Sequence, residues 1–424
     1  MQIAIPKDVE EIIEHLNQRG FEAYAVGGCV RDTLLGRCPN DWDITTSALP
    51  LQVKEMFKKT VDTGIQHGTV TVLLHGKGYE VTTYRIDGEY EDGRHPKQVE
   101  FTRSLLEDLK RRDFTINAMA YSHSTGVVDA FGGQEDLKAG VIRCVGLARE
   151  RFTEDALRIL RALRFAAQLG FSIEEETYAA IGKIAPNLKR VSKERILVEL
   201  TKLLLSAHPE RLMDVWRTGM AKYITKDFEQ LFFAEEGRRA FCGQREEILR
   251  RASSLPAKRH LRFAAAFCGM EGETVNRMLR ELKSDNETRK KTLLLVEACE
   301  ESYVLDKVAL RHWMHRMGSE LFLDGQLLRQ LLPQGPMDEP REAWKWQQER
   351  RLAEEILAAG DCLDLKQLAV SGKDLLSAGI QSGRQMGELL HFLLEHVLEY
   401  PQDNQKELLL RIAAKKREMA HETE

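Results

Sequence analysis

The chain lacks the features of a secreted, membrane-spanning or zinc-built protein. Its seven cysteines, at positions 29, 38, 144, 242, 268, 299 and 362, are odd in number and nowhere spaced Cys-x-x-Cys. That spacing argues against a disulfide framework and against structural zinc, and a reducing cytoplasm is the expected compartment. No apolar run approaches the roughly 20 residues that cross a bilayer, so no membrane partner is expected. The opening MQIAIPKDVEEIIEHL has neither the basic start nor the apolar core of a secretion signal, and its acids argue against an import peptide. An excess of positive charge is also missing: 62 Lys and Arg face 66 Asp and Glu, a net charge of −4. This weighs against a surface that is basic throughout, but phosphate binding depends on local patches. Such patches occur in KRRD at 110–113, in the arginines of 158–164, in KRVSKER at 189–195 and in AAKKRE at 413–418. Each by itself reads as a solvated helix face.

What the chain has is enough length, 424 residues, for about two to four domains, and a folded protein's composition at 43% hydrophobic and 30% charged. The first part mixes periods. Residues 8–19 have helical spacing, FEAYAV reads as a strand ending at Gly27-Gly28, VRDTLLG as a helix turn, and DWDITT as the next strand. TVTVLL and YEVTTYR alternate apolar and polar residues around HGKG and predict a hairpin. From about residue 135 onward helical spacing takes over, with breaks at Gly and Pro. The expected fold class is α+β: a small mixed sheet with helices against it, then an elongated all-α arm.

Asp41 and Asp43, split by Trp42, are the sequence's main oddity. In a strand, residues two apart share a face, so two carboxylates stand side by side and repel. A divalent cation relieves this, and Mg²⁺ takes one or two carboxylates together with substrate phosphates. A bare Asp-x-Asp is by itself a common surface pair, but the context adds to it. Gly27-Gly28 follows a strand and lets backbone approach a triphosphate, and Arg31 can pair with phosphate. Phosphate cradle, cation and metal pair together suit nucleotidyl transfer.

With Gly27-Gly28-x-Val30-Arg31-Asp32 followed by Asp41-x-Asp43, the chain resembles the class II tRNA nucleotidyltransferases, the CCA-adding enzymes and their bacterial poly(A) polymerase relatives, within the polymerase β-like superfamily. KRRDFTINAMAY (110–121) is similar to the family's second head motif, which implies that Arg112 binds the triphosphate; alone it would read as the start of a helix capped by Asp113. RFTEDALRILRALRF (151–165) is strongly helical in spacing and places Asp155 and Arg158 as surface neighbours. Chemically, an aspartate accepts from the amino group of cytosine or adenine, and an arginine donates to the ring nitrogen beside it. Uracil and guanine reverse that pattern and leave buried groups unpaired. The resemblance implies the same selecting role for Glu154, Asp155 and Arg158, and contacts to the nucleotide from Arg161 and Arg164. Glu80, on the hairpin's return strand, is either a third metal-site carboxylate or an ordinary outward-facing residue. RIDGEYEDGRHPKQVEF (85–101) reads as a surface loop; the resemblance implies a lever that helps the pocket switch from CTP to ATP.

The resemblance further implies a catalytic head at 1–138, a base-recognising neck at 139–207, a body at 208–300 and a tail at 301–424 that meets the tRNA elbow. It implies the substrates CTP and ATP, magnesium, and the tRNA 3′ end as acceptor, and leaves a homodimer open. In the tail, SGKDLLSAGIQSGRQMGELL (371–390) is a glycine-punctuated segment, either helix caps or a phosphate-gripping loop. His312 and His315 lie a helical turn apart with no acid beside them in sequence, so no metal is expected there. The rival readings are an A-adding enzyme or poly(A) polymerase, a glycosyltransferase using Asp-x-Asp, and a non-catalytic RNA-binding protein. A glycosyltransferase does not account for Gly27-Gly28, Arg31 or the Asp155/Arg158 pair.

Overall fold

A computed structural model describes residues 3–88, 99–233, 244–332 and 340–421. The central part of the 85–101 loop therefore lies outside the described residues, as does Cys242. The chain packs as two units, residues 1–232 with 277–284, and residues 233–276 with 285–424.

In the first unit, α1 (Lys7–Gln18) buries Val9, Ile12, Ile13 and Leu16, the stripe its spacing predicts. Then come β1 (Ala23–Val26), α2 (Gly28–Leu34), β2 (Ile44–Thr46), α3 (Pro50–Met56), β3 (Thr60–Gly64), β4 (Thr69–Leu74) and β5 (Lys77–Thr83). The hairpin forms as predicted: β4 and β5 pair antiparallel, and His75 and Gly76 turn between them with φ of 49° and 81°, a two-residue turn that needs positive φ twice. A short ribbon, β6 (Arg85–Asp87) with β7 (Val99–Phe101), leads to α4 (Leu105–Lys110). The main sheet is completed by β8 (Met119–Ser122) and β9 (Gly126–Asp129), in the order β3-β4-β5-β2-β1-β8-β9. It is mixed: β2 runs parallel to β5, while the other neighbours are antiparallel. Helices follow: α5 (Gly133–Ala139), α6 (Ala148–Glu154), α7 (Leu157–Leu169), α8 (Glu175–Ile184) and α9 (Lys193–Leu204).

Three local expectations are corrected. Asp41, Trp42 and Asp43 lead into β2 rather than beginning it, although the Asp43 carbonyl already accepts the Val26 N–H at 3.0 Å. KRRDFTINAMAY starts no ordinary helix; a single turn at Thr115–Asn117 passes into β8. The 151–165 stretch is two helices broken at Asp155, whose φ of −138° and ψ of 103° are extended. There its side chain accepts the Leu157 N–H at 3.0 Å, a local bond that competes with helix continuation.

The second unit is helical throughout its described residues. Phe263 stacks on Phe267 and Trp313 meets Phe322 edge-on in its core. Arg329 and Glu349 form a buried ion pair at 2.9 Å. In the tail segment Ser371 and Asp374 cap the short helix Gly372–Ser377, and Gly379 and Gly383 take positive φ at helix boundaries. His312 pairs with Glu395 at 3.3 Å and His315 bonds the Leu363 carbonyl at 2.8 Å, so the two histidines turn to separate partners.

Candidate active site

The turn from β1 into α2 shapes the site. Gly27 has φ 81° and ψ −125°, a backbone that side chains rarely adopt. Its N–H donates to the Met119 carbonyl at 3.0 Å, tying the turn to β8. A Cβ at this position would lie 2.8 Å from Nη1 of Arg112, so glycine is also what lets that guanidinium lie against the turn.

Beside the turn opens a cleft of about 690 Å³. Six cations line it, Arg31, Arg37, Arg112, Arg161, Arg164 and Lys202, against four carboxylates, Asp32, Asp41, Asp43 and Asp113. The balance favours an anionic ligand. The arginines are pre-set by partners. Arg31 donates to Asn117 Oδ1 at 2.6 Å and to Asp32 at 2.9 Å. Arg161 holds Asp113 Oδ2 through two nitrogens, at 2.8 and 2.6 Å. Arg164 donates to Glu199 at 2.5 Å and to Gln168 at 2.9 Å. Phe165 lies under three of them, with guanidinium carbons 4.9 Å (Arg31), 5.4 Å (Arg161) and 3.8 Å (Arg164) from its ring centroid. Burial pushes the Asp113 carboxyl up, but Arg161, Asn117 and Arg158 outweigh this and hold it well below the usual carboxylate range. Asp113 therefore stays an anion and, through Asn117, fixes the residues around Arg31.

Asp41 and Asp43 line this cleft and also a second cavity of about 760 Å³ that Trp42, Lys77 and Glu80 share. Asp43 presents its accessible surface to these cavities, so exposure and desolvation coexist. Its carboxyl is raised by burial, lowered by Arg112 and raised again by Asp41. Glu80 is raised by burial and then by Asp43 and Asp41. The acids therefore repel one another, as their spacing predicts, and a divalent cation answers that repulsion. Among the described residues no three His, Cys, Asp or Glu side chains gather as a metal-holding group. The fit is to a cation held by the two aspartates with the remaining positions left to ligand oxygens.

The cleft thus brings together Gly28, Arg31, Asp41, Asp43, Arg112, Arg161 and Arg164. Asp155 and Arg158 lie outside its lining. Asp155 is bonded by Arg195 at 2.7 Å, and Arg158 by Glu154 at 2.6 Å and the Arg111 carbonyl at 3.1 Å. Sequence reasoning missed the counter-ions Glu199 and Arg195, both on α9, and the platform Phe165. Their only local signal is an acid or base within a helix's apolar stripe, and nothing local names the distant partner.

The Poly A polymerase head domain model matches residues 23–143, and that of tRNA nucleotidyltransferase domain 2 matches residues 256–413. Between them, residues 170–232 match the model described as "Probable RNA and SrmB- binding site of polymerase A". The CCA-adding enzyme of Lactiplantibacillus plantarum is 39% identical over 411 residues, covering 95% of this chain and 94% of that protein. The CCA-adding enzyme of Enterococcus faecalis is 38% identical over 418 residues, covering 97% and 96%. Among solved structures, the Bacillus stearothermophilus CCA-adding enzyme in complex with CTP superposes with a TM-score of 0.75 at 32% identity, covering 99% of this chain and all of that one.

Proposed function

Because the chain belongs to the CCA-adding enzymes, a family of nucleotidyltransferases, we infer that it adds C, C and A to the 3′ end of tRNA from CTP and ATP, without a nucleic-acid template. The observation that carries the reading is the cleft itself, a wall of pre-set arginines facing the Asp41–Asp43 pair. Arg31 and Arg112 take the triphosphate, the backbone at Gly28 allows its close approach, and Arg161 and Arg164 extend the cationic wall toward the nucleoside. Asp41 and Asp43 would hold magnesium, which when bound supplies activation of the attacking hydroxyl and charge stabilisation of the departing pyrophosphate. Transfer is direct: the tRNA 3′ hydroxyl oxygen, giving up its proton, bonds the α-phosphorus as the bond to the departing pyrophosphate breaks, with no covalent enzyme intermediate.

Base choice falls to Asp155 and Arg158, as acceptor for the amino group and donor to the ring nitrogen. Arg195 and Glu154, bonded to them at 2.7 and 2.6 Å, orient the two side chains. The cytoplasm is the compartment that suits the free described cysteines. Monomer or homodimer is decided by the light-scattering mass of the purified 48.5 kDa chain.

The test uses tRNA ending before CCA, after C and after CC, with labelled CTP or ATP. Two cytidines, one cytidine and one adenosine are the expected additions. Adenosine incorporation without any cytidine would replace this reading by an A-adding enzyme or poly(A) polymerase, and no incorporation at all would leave an RNA-binding protein.

A further inference from the structure

Asp108, on α4, has no solvent exposure at all. A carboxylate so placed must be fully paired, and its partners come from separate parts of the unit. Arg111 donates to Oδ1 from Nε at 3.0 Å and Nη2 at 2.7 Å, and the Arg85 N–H, at the root of the β6–β7 ribbon, reaches the same oxygen at 3.4 Å. Oδ2 accepts from Thr45 at 3.2 Å, two residues beyond Asp43, and from Arg112 Nη2 at 3.4 Å.

Arg112 is held differently from the other cleft arginines. Its Nε is buried with no partner, and its Nη1 rests against Gly27. The contact to Asp108 is long and the carboxylate is shared, so Asp108 orients the guanidinium without cancelling its charge. On the other side, Arg112 already acts on Asp43 electrostatically. Were Asp108 neutral, the attraction of Arg112 to Asp43 would go unopposed by it.

We propose that Asp108 is a positioning residue for nucleotide binding. It anchors Arg112 at the depth of the triphosphate, keeps it off the two acids that carry the metal, and ties that anchor to the ribbon and to β2. This rests on the reading of the cleft as the triphosphate site, and one experiment separates the two. CTP affinity is measured by calorimetry in magnesium buffer for the full chain, D108N, R112A and the double variant, each with a thermal melt. The expected result is a roughly tenfold loss in D108N, a larger loss in R112A, and no further loss when D108N is added to R112A, because residues acting through one another are non-additive. Equal losses from D108N in both backgrounds would make Asp108 a general structural residue and overturn the proposal while leaving the cleft reading intact. Wild-type affinity in D108N overturns the proposal alone, and wild-type affinity in R112A overturns the cleft reading with it. Should D108N fail to melt cooperatively, D108S, which admits water and keeps a hydroxyl, carries the same cycle with the same outcomes.

Discussion

Replacing Gly27 by alanine separates backbone strain from ligand contact within one turn. The φ of 81° with ψ −125° at this position costs a side-chain-bearing residue about 1–3 kcal/mol. The added Cβ would sit 2.8 Å from Arg112 Nη1, the mobile end of a side chain, so the guanidinium moves rather than the backbone. The stability loss is therefore mostly the conformational term, about 2 kcal/mol. In a unit of roughly 240 residues that lowers the melting temperature by about 4–8 °C. CTP affinity falls as well, because the displaced group is the arginine proposed to take the triphosphate. Gly28 is the control: its φ is not positive and a Cβ there meets only Arg31 Nη2, at an ordinary 3.7 Å. G28A should melt at or slightly above the wild-type temperature, since alanine favours a helix start over glycine. Melts followed by circular dichroism, paired with CTP calorimetry, decide the matter. A G27A protein that melts with the wild type, or a G28A protein that loses as much as G27A, would refute the reasoning.

Three further outcomes are expected. D43N lowers incorporation by about a thousandfold or more while CTP still binds, and it raises the melting temperature because a carboxyl strained by burial and by Asp41 has been neutralised; filter-binding and melts measure both. D113N removes the nearer of Arg161's two buried acidic partners, leaving Glu199 at 3.9 Å, and costs about 3 kcal/mol at pH 7. Because the folded-state carboxyl of Asp113 is held low, its stabilisation is present above the ordinary value near 4 and is lost as pH falls through the folded one; urea melts at pH 7 and pH 3.5 should show the deficit narrowing in acid. D155A and R158A each admit UTP or GTP about 10–100-fold more readily relative to CTP and ATP, read from competition incorporation.

Much of the fold was legible because local chemistry dictated it. The α1 stripe, the β4–β5 hairpin with its positive-φ turn and the glycine pair before α2 all follow from spacing and turn residues. The placing of Asp41 and Asp43 together at the cleft was legible for the same reason, as a closely spaced pair of acids that repel. Long-range pairings were not legible. The strand β8 was hidden in a segment whose basic start and Asp113 resemble a helix cap, and sheet pairing with β1 overrode that preference. The helix break at Asp155 was hidden because its flanks have uninterrupted helical spacing, while the Arg195 that bonds its carboxylate lies forty residues on. The counter-ions behind the arginine wall, Asp108 and Glu199, are marked locally at most as acids within a helix, and what reaches them from elsewhere is not in that mark.

The parallel pairing of β2 with β5 has a consequence for how this protein can change. Ile44 is matched with Val81, so Asp43 and Glu80 each stand one residue before the first matched pair, and Asp43 acts on Glu80. Their proximity is a matter of alignment between two strands, and strand alignment is quantised in whole residues. A slip of β5 by one residue against β2 would swing Glu80 to the far side of the sheet while leaving every acid intact in sequence. The hairpin should therefore hold its register against β2 and its buried Val70, Val72, Tyr79 and Val81, and vary mainly at its exposed side chains.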